Sequence, residues 1–403
     1  MKKIFVLGLA LVLAAGVAFV GPKCKDGHCP EKGAQAAVST SEPQITAKAA
    51  FLLEANSGKT LFAKDEFKRL PIASMVKITT LAIIYDCLEA GQIKMGDMVM
   101  VSRNASGMGG SQAFLDFDSE YSVEELVRSI IIASANDSCV AMAELICGSE
   151  ADFVVKMNEL GSKLGMENTN YVNCTGLPAA NSYSCAADVA KIYAYIMKSP
   201  FYTYAPAEGS PLNKVWMHDL THPSGRITGL TNTNKHVRFY SGCEGGKTGF
   251  TAEAGHCIAV TATRGALRPL AIIIGAGDSQ TRFAESANLM NFVFDCFENR
   301  LVVSAARELG NIKIRGAKVD TLPVFAKENY YELLRKGDKS AREVSVEIID
   351  NARAPFGKND ALGKIIVTAD GKVVKEIDVV TAVDVEGLNY WGAIKKVIQK
   401  FKV

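Results

Sequence analysis

The sequence lacks an excess of charge of either sign. Its 45 Lys and Arg residues nearly balance its 43 Asp and Glu residues, so the formal net charge is only +2 at pH 7. Proteins that bind nucleic acid through the phosphate backbone usually carry a marked basic excess. The sequence also has no long block of like charge, which would be typical of a disordered interaction tail. Charge therefore gives no reason to expect a nucleic-acid partner.

Beyond the N-terminus, the sequence has no apolar run long enough to cross a membrane. The exception is residues 4–20, which contain no charged residue and follow Lys2 and Lys3. A basic start before such a run is typical of an export signal or a retained anchor. A buried core helix is the alternative, and the flanking lysines disfavour it. We predict that residues 1–44 are an export signal or anchor followed by a linker, and that the protein works in the periplasm or on the extracytoplasmic face of the cytoplasmic membrane.

Ten cysteines are present, but they lack the C-x-x-C spacing that indicates zinc. Cys24 and Cys29 are close enough in sequence to pair locally. The other eight lie mostly in apolar helix or strand patterns, which predicts buried thiols. We found no metal-binding motif and no cofactor motif in the sequence.

Hydrophobic periodicity divides the rest of the chain into further parts. Residues 45–300 begin with a hairpin pattern around Gly58, continue through several helical stretches, and end with two strands and a helix. This order predicts an α+β fold, an antiparallel sheet with an inserted helical domain. Residues 301–388 alternate apolar and polar residues between turn signals, which predicts a small all-β sandwich domain.

Residues 389–403 have the pattern of an amphipathic helix. The apolar residues of one face are Trp391, Ile394, Val397, Ile398 and Phe401. The basic residues of the other faces are Lys395, Lys396, Lys400 and Lys402. This pattern favours a helix that lies on an anionic membrane surface. The alternative is a C-terminal helix that docks on its own domain.

Ser74 and Lys77 form a Ser-x-x-Lys quartet in the apolar stretch "PIASMVKITT". If a helix begins at Ser74, the two side chains share a face, and the serine lies near the positive end of the helix dipole. A serine hydroxyl is a poor nucleophile until a base takes its proton. Lysine can be that base only if burial or a nearby cation lowers its pKa. The alternative is an N-capped helix with a surface lysine.

Two further motifs follow in order along the chain. Ser134-Ala135-Asn136 stands at a break between helical stretches, and Lys247-Thr248-Gly249 follows the Gly-rich "CEGG" at the start of a predicted strand. Other Ser-x-Asn copies occur at residues 102–104 and 286–288, but the first precedes a Gly-rich turn and the second comes after Lys-Thr-Gly. The ordered trio is typical of serine β-lactamases and penicillin-binding proteins.

With these motifs in place, residues 45–390 resemble the D-alanyl-D-alanine carboxypeptidases, which are low-molecular-mass penicillin-binding proteins and serine peptidases. The stretches that carry the resemblance, in order, are "PIASMVKITT", "GGSQAFL", "IIIASANDSCVAMAE", "LGMENTNYVNCTGL", "NSYSCAADVAKI" and "GGKTGFTAEAGHC". The resemblance implies a β-lactamase/transpeptidase-like fold. It also implies removal of the terminal D-alanine from peptidoglycan stem peptides ending in D-Ala-D-Ala, and acylation by β-lactam antibiotics.

The resemblance also implies roles for individual residues. Ser74 would be the nucleophile and Lys77 its base, while Ser134 and Asn136 would relay protons and hold the substrate amide. The implied substrate-binding residues are Lys247, Thr248, Gly249, Phe250 and Thr251. Among these, Lys247 would add positive potential, Thr248 and Thr251 would bind the terminal carboxylate, and the backbone N–H groups of Ser74 and Phe250 would form the oxyanion hole.

The sequence departs from this family at three positions, where Thr175 and Ser182 replace a frequent histidine and Ala187 replaces a frequent arginine. Two other functions remain open. A β-lactamase would need a downstream base, for which Glu167 stands near the right distance in sequence. A catalytically weak cell-wall-binding protein of the same fold is the second alternative. For the substrate carboxylate, Arg238 and Lys235 are candidates, although solvated surface charge is the simpler interpretation of both.

Overall fold

The computed structural model describes residues 42–206, 209–349 and 351–401. They divide into two compact units, of which the first runs to Glu298 and the second begins at Asn299. The apolar run at residues 4–20 and the Cys24–Cys29 pair lie outside the described residues, as does most of the predicted linker.

The described residues of the first unit form a mixture of β-strands and helices. Its strands are β1 (Ala49–Glu54), β2 (Lys59–Lys64), β3 (Met98–Met100), β4 (Glu120–Ser122), β5 (Met217–Thr221), β6 (Ile227–Thr231), β7 (Cys243–Thr251), β8 (Gly255–Ala262) and β9 (Pro269–Ala276). Its helices are α1 (Lys77–Glu89), α2 (Arg103–Ser106), α3 (Val123–Ile132), α4 (Asn136–Cys147), α5 (Glu150–Lys163), α6 (Ala186–Ile196), α7 (His236–Phe239) and α8 (Ser279–Cys296). Short 3₁₀ turns occupy Ala73–Val76, Pro200–Thr203 and Leu212–Lys214.

The main sheet of this unit is antiparallel and has the strand order β2-β1-β9-β8-β7. Strands β8 and β9 are apolar almost throughout because both faces of the sheet are covered. Ile272 and Ile274 join the core beneath the helices, while α8 packs against the same two strands. The helices between β2 and β7 form the insertion that the sequence predicts, so the predicted fold class is confirmed.

Helix α1 is the centre of the helical part. Its residues are buried nearly all the way from Lys77 to Leu88, and α4, α5 and α6 pack around it. A polar cap sets the start of one neighbour, since the Ser149 hydroxyl accepts a hydrogen bond from the Asp152 N–H at the start of α5. A lysine on the first turn of α1 therefore lies inside the protein rather than on its surface.

In its described residues, the second unit consists of β-strands followed by one C-terminal helix. An all-β domain at this place is what the sequence predicts. Its strands are β10 (Phe297–Val303), β11 (Glu308–Arg315), β12 (Thr321–Ala326), β13 (Tyr330–Arg335), β14 (Arg342–Ile348), β15 (Asn351–Arg353), β16 (Gly363–Ala369) and β17 (Lys372–Thr381). Six of them form a sheet in the order β14-β16-β17-β12-β11-β15, and β10 pairs with β13. Residues of both sheets, including Val303 of β10 and Ile365 of β16, share one apolar core.

Helix α9 (Tyr390–Phe401) forms where the amphipathic pattern predicts it. Trp391 is 75% exposed and Ile398 is 52% exposed. The ammonium group of Lys396 lies 2.6 Å from Asp320 and donates to the Ala317 carbonyl at 2.7 Å. In the described ranges we find no helix that combines the length and the apolar character needed to cross a membrane.

The prediction of buried thiols holds for most of the cysteines. The buried thiols are those of Cys87, Cys139, Cys174, Cys185, Cys243, Cys257 and Cys296. Cys147 is partly exposed. Within the described residues, no cluster of three or more His, Cys, Asp or Glu side chains is placed to hold a metal ion.

Candidate active site

Ser74 lies on the 3₁₀ turn Ala73–Val76, and α1 begins only at Lys77. The sequence-based prediction that one α-helix begins at Ser74 is therefore wrong by three residues. The turn is tighter than an α-helix, but it still places positions i and i+3 on one side. Ala73 has a left-handed φ of 47°, which turns the chain sharply just before the serine.

Two glycines make room for this turn. A Cβ on Gly176 would lie 2.1 Å from the Ala73 carbonyl oxygen, and a Cβ on Gly249 would lie 2.7 Å from the Ile72 carbonyl oxygen and 3.1 Å from the Ser74 nitrogen. Only glycine permits such close backbone approach. The turn that carries Ser74 is thus held between the chain around Gly176 and strand β7.

Lys77 is fully buried, and its Nζ lies 3.0 Å from the Ser74 Oγ. The same nitrogen donates to the backbone carbonyl of Thr175. Burial lowers the pKa of Lys77, while Cys139, Cys174 and Asp137 act weakly in the opposite direction. The structure therefore favours the neutral amine at this position, which is the form that can accept a proton from serine.

Ser134 lies between α3 and α4, and Asn136 is the first residue of α4. Ser134 has a left-handed φ of 62°, and its Oγ accepts a hydrogen bond of 2.7 Å from the Lys247 Nζ. The Asn136 Nδ2 donates to the Gly109 carbonyl at 2.6 Å. Its Oδ1 is buried and has no hydrogen-bond partner among the described residues. A buried amide oxygen of this kind is costly unless a ligand supplies a donor.

Lys247 and Thr248 lie within β7, which runs from Cys243 to Thr251. The prediction that Lys-Thr-Gly opens the strand is wrong, because the "CEGG" segment is already part of it. Burial, with the nearby charge of Lys77 as the next cause, lowers the pKa of Lys247 well below its usual value. The Thr248 hydroxyl donates to the Thr233 hydroxyl at 2.7 Å. Since β7 is the edge strand of the sheet, an extended peptide can pair with it.

Phe250 and Thr251 follow on the same strand. The Phe250 ring is 58% exposed and stacks on His256 with 4.3 Å between ring centroids. The Thr251 Oγ1 accepts a hydrogen bond of 3.0 Å from the Ala254 N–H and so fixes the turn after β7. Hydrogen bonds thus join Ser74 to Lys77 and Ser134 to Lys247, whereas Thr251 is placed near them by its strand and not by a direct bond.

Arg282 is a residue that the sequence reasoning missed. It lies on α8, is 8% exposed, and donates to the carbonyls of Gly249 at 3.1 Å and Cys257 at 3.3 Å. Its guanidinium therefore lies behind the Lys-Thr-Gly strand and adds a third buried basic group to the site. No local pattern marks it, because an arginine on an otherwise ordinary helix is usually solvated. The earlier candidate Arg238 instead packs on Trp216 and Phe239, and Lys235 is exposed.

Asp137 was also missed. Its buried carboxylate accepts hydrogen bonds from the backbone N–H groups of Ala113 at 3.0 Å and Leu115 at 3.1 Å. These bonds hold the loop that carries Gly109 against the start of α4. Asp137 therefore positions the carbonyl that binds Asn136, and its place directly after the Ser-x-Asn motif was the available signal.

Two of the three departures from the family pattern, Thr175 and Ser182, lie beside the catalytic turn. Thr175 is buried, and its hydroxyl bonds Asn173 Oδ1 at 3.2 Å while its carbonyl accepts from Lys77. Ser182 lines a groove beside the catalytic turn. Ala187 is buried on α6, where its N–H donates to the Glu66 carbonyl.

Comparison with known proteins agrees with this geometry. Residues 36–278 match the family model described as D-alanyl-D-alanine carboxypeptidase, and residues 297–387 match that of the penicillin-binding protein 5 C-terminal domain. The D-alanyl-D-alanine carboxypeptidase DacF of Bacillus subtilis is 34% identical over 367 residues, which cover 90% of this chain and 92% of that protein. DacC of Escherichia coli, another D-alanyl-D-alanine carboxypeptidase, is 27% identical over 95% of this chain and 93% of its own length.

Solved structures give the same result. Penicillin-binding protein 5 from Haemophilus influenzae superposes with a TM-score of 0.68 and 28% identity, covering 86% of this chain and 99% of that one. The similarity thus extends through both units and far beyond three short motifs. This chain belongs to the D-alanyl-D-alanine carboxypeptidase family.

Proposed function

We propose that this chain is a serine-type D-Ala-D-Ala carboxypeptidase that shortens peptidoglycan stem peptides through an acyl-enzyme on Ser74. The observation that carries the proposal is the 3.0 Å contact between the Ser74 Oγ and the Nζ of fully buried Lys77, whose pKa burial lowers. A serine hydroxyl in contact with a neutral lysine is an activated nucleophile, because the amine can take its proton. We assign this chemistry to residues 45–300.

In the proposed acylation step, Lys77 takes the hydroxyl proton while Ser74 attacks the carbonyl of the penultimate D-alanine. The negative oxygen that forms is held by the backbone N–H groups of Ser74 and Phe250. The Ser74 nitrogen supports this role because it lies beside Gly249, the residue before Phe250. A proton returned through Lys77 and Ser134 lets the C–N bond break, and terminal D-alanine leaves as a neutral amine. Water then hydrolyses the ester on Ser74.

The terminal carboxylate of the substrate would bind where the buried positive charges meet. Lys247 and Arg282 both lie at β7, and Thr248 supplies a hydroxyl there. We assign the recognition of the substrate backbone to the edge of β7 and to the unpartnered Oδ1 of Asn136, which can accept a substrate N–H group. Gly249 contributes by letting the Ser74 turn lie against the strand.

A β-lactam resembles the D-Ala-D-Ala end, and we propose that it acylates Ser74 by the same route. The β-lactamase alternative receives no support from Glu167, whose side chain is exposed. The backbone carbonyl of Glu167 accepts a hydrogen bond from Arg69. The alternative of a binding protein without turnover is disfavoured by the intact Ser74–Lys77 and Ser134–Lys247 contacts.

The direct test is release of D-alanine from a synthetic pentapeptide ending in D-Ala-D-Ala, beside the tetrapeptide that lacks the last residue. We expect one D-alanine per pentapeptide and none from the tetrapeptide. No release from the pentapeptide by a folded protein would contradict the proposed function.

We also propose that the protein is exported, acts at the extracytoplasmic face of the membrane, and contacts the lipid surface through α9. The exposed side chains of Tyr390, Trp391 and Ile398 support this, because aromatic and aliphatic groups on one side of a basic helix bind the membrane interface. The Lys396–Asp320 ion pair fixes one side of the helix to its own unit and leaves Trp391 exposed.

Replacing Trp391 and Ile398 together with glutamate is expected to lower binding to anionic vesicles by about tenfold or more, because both apolar contacts are lost and negative charge is added. The measurement is co-sedimentation with phosphatidylglycerol-containing vesicles, made on protein lacking residues 1–36 so that the N-terminal segment does not contribute. The control is Val155→Glu, which alters a side chain that is 57% exposed on α5. Equal binding of all three proteins would contradict the role of α9.

A further inference from the structure

A groove of about 470 Å³ lies beside the turn that carries the nucleophile. A narrow cleft adjoins it and shares several of its lining residues, including Pro71, Pro178 and Ser182. The cleft is also lined by Ala73, which precedes Ser74, and by Thr251, which follows Phe250. The groove and the cleft therefore adjoin the turn that carries Ser74 and the end of β7.

The groove carries one charge of each sign. Arg69 is held in place, since its Nε donates to the Asn168 Oδ1 at 3.1 Å and its guanidinium lies 4.9 Å from the centre of the Tyr183 ring. A second guanidinium nitrogen donates to the Glu167 backbone carbonyl at 3.4 Å. These partners are an amide, a carbonyl and an aromatic ring, and among the described residues no carboxylate forms an ion pair with Arg69. Glu253 lies just after β7, is exposed, and lines both the groove and the cleft. A ligand with two opposite charges would satisfy both groups.

The direction of strand β7 indicates which part of the substrate reaches the groove. The cationic end of the site is at Lys247 and Thr248, and Thr251 and Glu253 lie further along the chain. If the terminal carboxylate binds at Lys247, the peptide before the scissile bond runs towards Thr251. An extended peptide advances about 3.3 Å per residue. The residue before the penultimate D-alanine, the third residue of the stem peptide, therefore lies at the entrance of the groove.

We propose that this groove binds the side chain of the third stem-peptide residue and selects one that ends in both an ammonium and a carboxylate, as diaminopimelate does. Arg69 pairs with the carboxylate and Glu253 with the ammonium. A lysine side chain carries only the ammonium, so it pairs with Glu253 and leaves Arg69 without a carboxylate. This inference rests on the proposed carboxypeptidase function and adds its substrate preference.

The test compares D-alanine release from three pentapeptides that differ only at the third residue, which is meso-diaminopimelate, lysine or norleucine. For the native protein we expect kcat/KM to fall in that order. Arg69→Gln is expected to lower the ratio of kcat/KM for the diaminopimelate peptide to that for the lysine peptide by about tenfold, the size of one charge-assisted contact. Glu253→Gln is expected to lower kcat/KM for both charged peptides relative to norleucine.

Lys68→Gln is the matched control, because it removes an exposed positive charge next to Arg69 from a residue that does not line the groove. We expect it to leave the ratios between peptides unchanged. Equal kcat/KM for all three peptides in the native protein would overturn this inference and leave the carboxypeptidase function standing, as would an Arg69→Gln effect that is the same for every peptide. Failure to release D-alanine from any of the three would overturn the proposed function itself.

Discussion

Replacing Lys77 with methionine is expected to slow acylation by benzylpenicillin by about 10³-fold, the size of a general-base contribution. Methionine fills similar apolar space but accepts no proton, so the Ser74 hydroxyl loses the base that lies 3.0 Å from it. The rate is measured by stopped-flow or by quenched mass analysis. Lys94→Met, which alters an exposed lysine on the same unit, is the control and should acylate at the native rate.

The pH dependence of the same reaction tests the cause of this effect. Burial lowers the pKa of Lys77 below its ordinary value of 10.5. As pH falls through that lowered pKa, the amine gains a proton and can no longer act as a base, so the acylation rate falls on the acid side. We expect the midpoint of this limb below 10.5 in the native protein and no such limb in Lys77→Met. A midpoint near 10.5 would show that burial does not lower the pKa of Lys77.

Replacing Gly176 with alanine is expected to have the second large effect. The new Cβ would lie 2.1 Å from the Ala73 carbonyl oxygen and 2.9 Å from the Ser74 nitrogen. Both atoms are backbone, so the turn must move or the segment around Gly176 must separate from it. We expect a loss of roughly 3 kcal/mol or more in the free energy of unfolding, as for other severe overpacking. Acylation of Ser74 should also be impaired in whatever protein remains folded.

Gly148→Ala is the matched control for this experiment. Gly148 and Gly176 have the same φ of 79°, but a Cβ on Gly148 would meet nothing within 4 Å. Its replacement costs only the conformational penalty, about 1 kcal/mol. Chemical denaturation of both variants gives the two free energies of unfolding. Their difference separates the steric clash with Ala73 from the conformational penalty of a residue at this φ. Equal losses would mean that close packing against Ala73 is unimportant and that glycine is needed there only for its φ.

The contact between Ser74 and Lys77 could be predicted from the sequence because the two residues are only three positions apart. Ser74 and Lys77 share one side of any helical turn, and this holds although the turn is 3₁₀ and α1 begins later than predicted. The alternation of apolar and polar residues likewise indicated the strands of the second unit. The exact start of β7 was missed because the glycines of "CEGG" suggested a loop, whereas they form the first part of the strand.

The remaining features depend on contacts between distant segments. Arg282 reaches the carbonyl of Gly249 from a different element, and nothing around it in the sequence distinguishes it from a surface arginine. Gly176 is important because of Ala73, about a hundred residues away, and that contact exists only in the folded chain. The same holds for the groove between Arg69 and Glu253, whose charges are brought together by the fold.

The most direct test of the central claim is the intact mass of the protein after exposure to benzylpenicillin, measured over time beside Ser74→Ala. We predict a lasting adduct of one penicillin per native chain and no adduct in the variant. An adduct that forms equally on Ser74→Ala, or no adduct on a folded native chain, would contradict the assignment of Ser74 as the nucleophile.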